Sequence, residues 1–143
     1  ENADTLNVNV ACELGENAVA VNVGNPHLVY FVEKFNSELL RAEGPKVQNN
    51  PLFPQSINVG SAEIIDDTHI KLQVWERPGM LTMGCGSGAC AAVAAARARG
   101  YVHHLDFVYV EMPGGTLKIT YKDNTLAVMS GPAEYCYSGY LTI

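Results

Sequence analysis

The chain has 143 residues, with 9 Lys+Arg against 15 Asp+Glu (net charge −6) and 48% hydrophobic residues. That is one domain's length, with enough apolar content to bury a core without disulfide staples, so a disordered chain is excluded. An acidic balance supplies no basic footprint for phosphate, which argues against nucleic acid as a partner.

Leu6 to Val10 and Ala18 to Val23 alternate apolar and polar residues, and Leu28 to Val32 is a β-branched and aromatic run; all three predict strands. Asn36 is placed to cap a short helix that should stop near Gly44-Pro45, followed by a polar loop to about Gln55. Ile57 to Ile65 and His69 to Trp75 predict a hairpin around an Asp66-Asp67 turn. Ala89 to Arg99 is Ala-rich and followed by Gly100, which predicts the chain's one substantial helix. Its apolar residues surround it and are small, so it should be buried with strands close against it. Phe107 to Met112, Thr116 to Tyr121, Leu126 to Met129 and Tyr135 to Leu141 predict further strands, separated by Pro113-Gly-Gly, Asp123-Asn and Gly131-Pro turns. The expected class is α/β of the α+β type, with strands wrapped around one long central helix; a doubly wound dinucleotide fold is disfavoured.

Pro78 to Ala96 is uncharged, but four glycines and a proline exclude a membrane span. The N-terminus carries no secretory pattern and no initiator Met, so a fragment or processed chain is expected. Cys12, Cys85, Cys90 and Cys136 show no metal-ligand spacing, which disfavours zinc and suggests a reducing, cytoplasmic setting.

The densest chemical signal is Glu76-Arg77, then Cys85-Gly-Ser-Gly opening the Ala-rich helix. Free N–H groups and the dipole at a helix N-terminus favour both a thiolate and a bound carboxylate, so Cys85 is a candidate base with a lowered pKa. Gly86 and Gly88 would leave the backbone open to a ligand. The alternative for Cys85 is a small buried residue at a tight turn, and Cys12, Cys90 and Cys136 read as core residues. Glu76 and Arg77 are either a solvated pair at a strand end or groups for a substrate ammonium and carboxylate. Gly24-Asn25-Pro26-His27 is a turn or a second site element, Asn58 is an outward polar residue or a ligand group, and His103-His104 read as surface residues after the helix.

In order, Gly24-Asn-Pro-His27, Phe53-Pro54 with Asn58, Trp75-Glu-Arg77, Cys85-Gly-Ser-Gly-Ala-Cys-Ala-Ala92 and Pro113-Gly-Gly-Thr-Leu117 resemble the C-terminal half of the diaminopimelate epimerase family along essentially the whole chain. The resemblance implies a pyridoxal-independent epimerase with no cofactor, built from two pseudo-symmetric domains that each contribute a cysteine. Residues 1–143 would be the C-terminal domain and would be inactive without the N-terminal one. Cys85 matches the C-terminal catalytic cysteine. Asn25, Asn58, Glu76, Arg77 and the amides of Gly86 and Ser87 match substrate-binding positions, while His27 and Glu76 match residues that tune the thiols. The implied substrate is diaminopimelate; a homodimer with Tyr137 at its interface is also implied. The family commonly reads Glu-Arg-Gly-x-Gly where this chain has Glu76-Arg-Pro-Gly-Met, and Pro78 restricts Arg77 toward extended geometry. Another cofactor-free racemase or isomerase of the superfamily, or a non-catalytic carboxylate-binding module, are the alternative readings.

Overall fold

The computed structural model describes residues 4–103, 106–122 and 126–142. Among the described residues nine strands form one mixed sheet: β1 (Asp4–Cys12), β2 (Gly15–Asn22), β3 (Pro26–Phe31), β4 (Asn58–Asp66), β5 (His69–Glu76), β6 (Met80–Leu81), β7 (Val108–Met112), β8 (Gly115–Lys122) and β9 (Leu126–Ser130). Their order is β1-β2-β3-β4-β5-β7-β8-β9, with the two-residue β6 paired to β5. Two pairs are parallel, β3 with β4 and β5 with β7. A parallel pair needs a crossover rather than a tight turn. Helix α1 (Ser37–Gln48) supplies the first crossover and α2 (Gly86–Ala98) the second.

Strand alternation sends neighbouring side chains to opposite faces, and each face finds its own helix. Val29, Ala62, Leu72 and Val74 join α2 in one apolar cluster, while Leu28, Tyr30 and Val59 join Leu40 and Val47 of α1 in the other. Helix α2 is the internal one: from Gly88 to Ala96 only Cys90 is not fully buried. Its alanines keep it narrow enough for the sheet to curl around it, as its composition suggests.

Helix α1 corrects the expectation of a single substantial helix, since its 12 residues nearly match the 13 of α2. Asn36 caps it as expected, accepting from the amides of Glu38 and Leu39. The helix runs through Gly44-Pro45 instead of stopping there. Packing overrides the local stop signal: Gly44 is buried so tightly against Trp75 that a Cβ would lie 2.7 Å from the indole Cγ. The second correction concerns Tyr135 to Leu141, which forms no strand among the described residues. A strand takes its hydrogen bonds from a partner, and residues 131–142 lie exposed without one. His104 and the Asp123-Asn turn fall outside the described residues.

Candidate active site

The site forms where three strand ends meet the start of α2. His27 near the beginning of β3 pairs in register with Asn58, the first residue of β4, and Glu76 closes β5 alongside them. Asn58 is buried rather than outward-facing, at 3% exposure, with its amide bonded to the scaffold on two sides. Its Nδ2 donates to the Pro26 carbonyl at 2.9 Å and its Oδ1 accepts the Arg77 backbone N–H at 3.0 Å. One side chain thus ties the Asn25-Pro26 turn to the Glu76-Arg77 strand end. The guanidinium of Arg77 donates through Nη1 to the Gln55 carbonyl at 2.9 Å, and the Arg77-Pro78 peptide bond is cis.

Cys85 is the N-cap of α2. Its Sγ accepts the Gly88 N–H at 3.4 Å, its carbonyl accepts that of Ala89, and the residue is 6% exposed. The amides of Gly86 and Ser87, ahead of these, have no carbonyl within the helix to bond. The side chain of Ser87 gathers the remaining groups: its Oγ lies 3.7 Å from Cys85 Sγ, 3.1 Å from His27 Nε2 and 3.2 Å from Asn25 Nδ2. Sequence reasoning assigned Ser87 only its backbone amide and overlooked this hydroxyl. Thr82 was overlooked as well; its hydroxyl donates to the Glu76 carboxylate.

The glycines of the Cys85 turn also set how closely the elements approach. A Cβ on Gly88 would meet Val74 Cγ2 at 2.8 Å and Cys85 Sγ at 3.1 Å, so Gly88 lets the first turn of α2 settle onto β5 beneath the thiol. Gly86 is covered by Met129 of β9, whose sulfur would be 2.8 Å from such a Cβ. Gly114 donates to the Met83 carbonyl at 2.6 Å and has no room for a Cβ, so the β7–β8 turn holds the loop leading into Cys85. A cavity of about 420 Å³ opens beside Cys85 and Gly86, walled by Met83, Met112, Leu117 and Met129. Asn25, Asn58 and Arg77 are not among its lining residues.

The electrostatics correct one expectation. Burial pushes the Cys85 thiol up rather than down, and the Glu76 carboxylate adds to this, while Ser87 and the Gly88 N–H pull the other way. His27, 1% exposed, is pulled down to about 4, chiefly by burial; Glu76 opposes this and Arg77 reinforces it. The imidazole is therefore neutral at neutral pH. The other cysteines divide differently from the expected core set: Cys12 and Cys90 are half-buried and Cys136 is exposed. His103 is exposed, as expected of a surface residue.

The sequence profile described as diaminopimelate epimerase matches residues 19–136. The chain belongs to the diaminopimelate epimerase family. It is 43% identical over 136 residues to the diaminopimelate epimerase of Erythrobacter litoralis, an alignment covering 95% of this chain and 50% of that protein. Against the diaminopimelate epimerase of Acidiphilium cryptum it is 40% identical over 141 residues, covering 99% of this chain and again 50% of the relative. The chain thus spans about half the length of these relatives. Among solved structures, a hydroxyproline epimerase from Agrobacterium vitis superposes with a TM-score of 0.60 at 20% identity, over 90% of this chain and 45% of that one. A phenazine biosynthesis protein from Bacillus anthracis gives 0.55 at 17%, over 90% and 38%. At those identities the two structures show a shared fold, and the expected architecture of strands around a central helix is the one observed.

Proposed function

We propose that this chain is the C-terminal half of an enzyme that interconverts LL- and meso-2,6-diaminopimelate without a cofactor, and that Cys85 is one of its two acid–base residues. The observation that carries the reading is the position of Cys85 in a chain of this family: its thiol caps the N-terminus of a buried helix, beside amides free to hold a carboxylate. In the proposed reaction one cysteine, as thiolate, takes the substrate α-hydrogen as a proton, leaving the electron pair on the α-carbon. The other cysteine, as thiol, returns a proton to the opposite face, which inverts the centre. Cys85 is one of the pair, and the second belongs to the half of the protein outside this chain.

An amino-acid α-hydrogen is very weakly acidic, so negative charge building toward the carboxylate must be stabilised by groups already in place. The Gly86 and Ser87 amides and the α2 dipole supply this, and each preorganised donor is worth about 3 kcal/mol. Glu76 takes the substrate ammonium, while Arg77, Asn25 and Asn58 orient the rest. His27 and Glu76 set the thiol's proton affinity, the neutral imidazole without adding charge and the carboxylate by favouring the protonated thiol. Tyr137, in the exposed stretch 131–142, is assigned to a homodimer contact, and its 86% exposure leaves it available for one.

The hydroxyproline epimerase and the phenazine biosynthesis protein share this fold, which keeps another isomerase of the superfamily as the second reading. Replacing cysteines in the full-length protein separates chemistry from packing. Cys85→Ser is expected to abolish epimerisation of LL-diaminopimelate with folding retained, whereas Cys90→Ser, altering a residue packed on the α2 core, mainly lowers the melting temperature. Equal loss of turnover in both, with folding unchanged, rules out Cys85 as the specific acid–base residue. Activity on a different amino acid, but none on diaminopimelate, favours the second reading.

A further inference from the structure

We infer that the Ser87 hydroxyl is the side-chain hydrogen-bond donor to the Cys85 thiolate, and that Asn25 and His27 act together to turn its proton onto sulfur. The inference builds on Cys85 being the acid–base thiol and assigns a role to a hydroxyl that has none in the reaction above.

The direction follows from which atoms can only donate and which can only accept. Asn25 Nδ2, a donor, lies 3.2 Å from Ser87 Oγ and occupies one of its lone pairs. His27 Nε2 lies 3.2 Å from Asn25 Oδ1, which only accepts, so the neutral ring carries its proton on Nε2. The same N–H is shared with Ser87 Oγ, 3.1 Å away, so this oxygen faces a second donor. With two donors turned toward its oxygen, Ser87 directs its own proton to the acceptor left in contact with it among the described residues, Cys85 Sγ at 3.7 Å. The distance is long for a thiol and shortens when the sulfur is charged, since charge-assisted hydrogen bonds are tighter.

The groups facing the thiol from the surrounding elements sort into opposing sets. Glu76 from β5 and the buried surroundings favour the protonated form; Ser87 and the Gly88 N–H from α2 favour the thiolate. His27 from β3 is neutral, Arg77 beside it bears on the imidazole, and Cys90 lies within electrostatic range on the same helix. Ser87 is thus the side-chain contribution that offsets burial and Glu76.

The test is site-resolved alkylation of Cys85 with iodoacetamide across pH, read by peptide mass spectrometry on the full-length protein without substrate. Ser87→Ala is expected to raise the midpoint by about one pH unit, the effect of losing one hydrogen bond to a charged group. Ser87→Thr, which keeps the hydroxyl, should restore it. Alanine is the better helix former, so the loss does not come from unfolding α2. An unchanged midpoint in Ser87→Ala, or a Thr variant shifted as far as Ala, overturns the assignment. Because no substrate is present, a protein that fails to epimerise diaminopimelate yet shows the shift contradicts the proposed reaction and leaves this donor role standing.

Discussion

Cys85 owes its setting to a small number of side chains whose partners are all fixed by the scaffold, and His27 shows this most clearly. Its pKa is lowered from 6.5 to about 4, so between those values the unfolded chain binds a proton that the folded chain refuses. Stability must then rise with pH across that window and be lost as pH falls from about 6.5 toward 4, by about 3 kcal/mol in total. Denaturant titrations at pH 7 and pH 4.5 should register this loss, and His27→Gln, which cannot titrate, should remove most of it; an equal acid loss in the variant would place the effect elsewhere. Thr82 makes a separate prediction. Without its hydroxyl the Glu76 carboxylate is no longer held beside Cys85, so Thr82→Val in the full-length enzyme should lower kcat/KM about tenfold, the worth of one hydrogen bond to a charged group, with Thr82→Ser close to wild type. At this scale the sequence revealed residue types well. Cys85, His27, Glu76 and Asn58 are singled out by motif and context, and the structure sets them at the same end of the sheet by the start of α2. Thr82 and the Ser87 hydroxyl were not, since their roles depend on β5, β3 and the α2 turn converging in space, which no spacing along the chain encodes.

Glycines decide how closely elements approach, and two of them should respond differently to the same substitution. Gly44→Ala drives a methyl group into Trp75 on the α1 face, away from Cys85, and should cost about 1–3 kcal/mol of stability while leaving the Cys85 alkylation profile unchanged. Gly88→Ala places its methyl between Val74 and Cys85 Sγ, so it should disturb both stability and the thiol's reactivity. Melting curves paired with Cys85 alkylation rates would check the contrast; identical behaviour of the two variants would contradict the close packing of α2 on β5. Most strands were legible from alternation and turn residues, and α2 from its alanines. The continuation of α1 past Gly44-Pro45 was hidden because Trp75 rewards the helix there only after β5 is in place. The pairing of β3 with β4 and β5 with β7 was hidden for a related reason: alternation shows a strand but not its neighbour.

Two helix clusters pack on opposite faces of one sheet, yet the candidate site lies at the rim of that sheet rather than within it. Tyr135, Tyr137, Tyr140 and Leu141 are all more than four-fifths exposed, so the stretch read from its apolar residues as a strand finds no partner within the described residues. Periodicity reported its apolar character and could not report what it packs against. Cys136, expected in the core, lies exposed in the same stretch. The two-cysteine reaction makes its sharpest demand at this scale, because one half of the protein should be unable to move a proton on or off the α-carbon productively. The direct measurement is α-hydrogen exchange of LL-diaminopimelate in D₂O, followed by NMR, with this chain alone and with the chain reassembled with a separately prepared N-terminal half. The expected result is no exchange with the chain alone and exchange accompanied by meso product in the reassembled protein, lost again with Cys85→Ser. Exchange catalysed by the isolated chain, or by a reassembled protein lacking the Cys85 thiol, would contradict the two-cysteine mechanism.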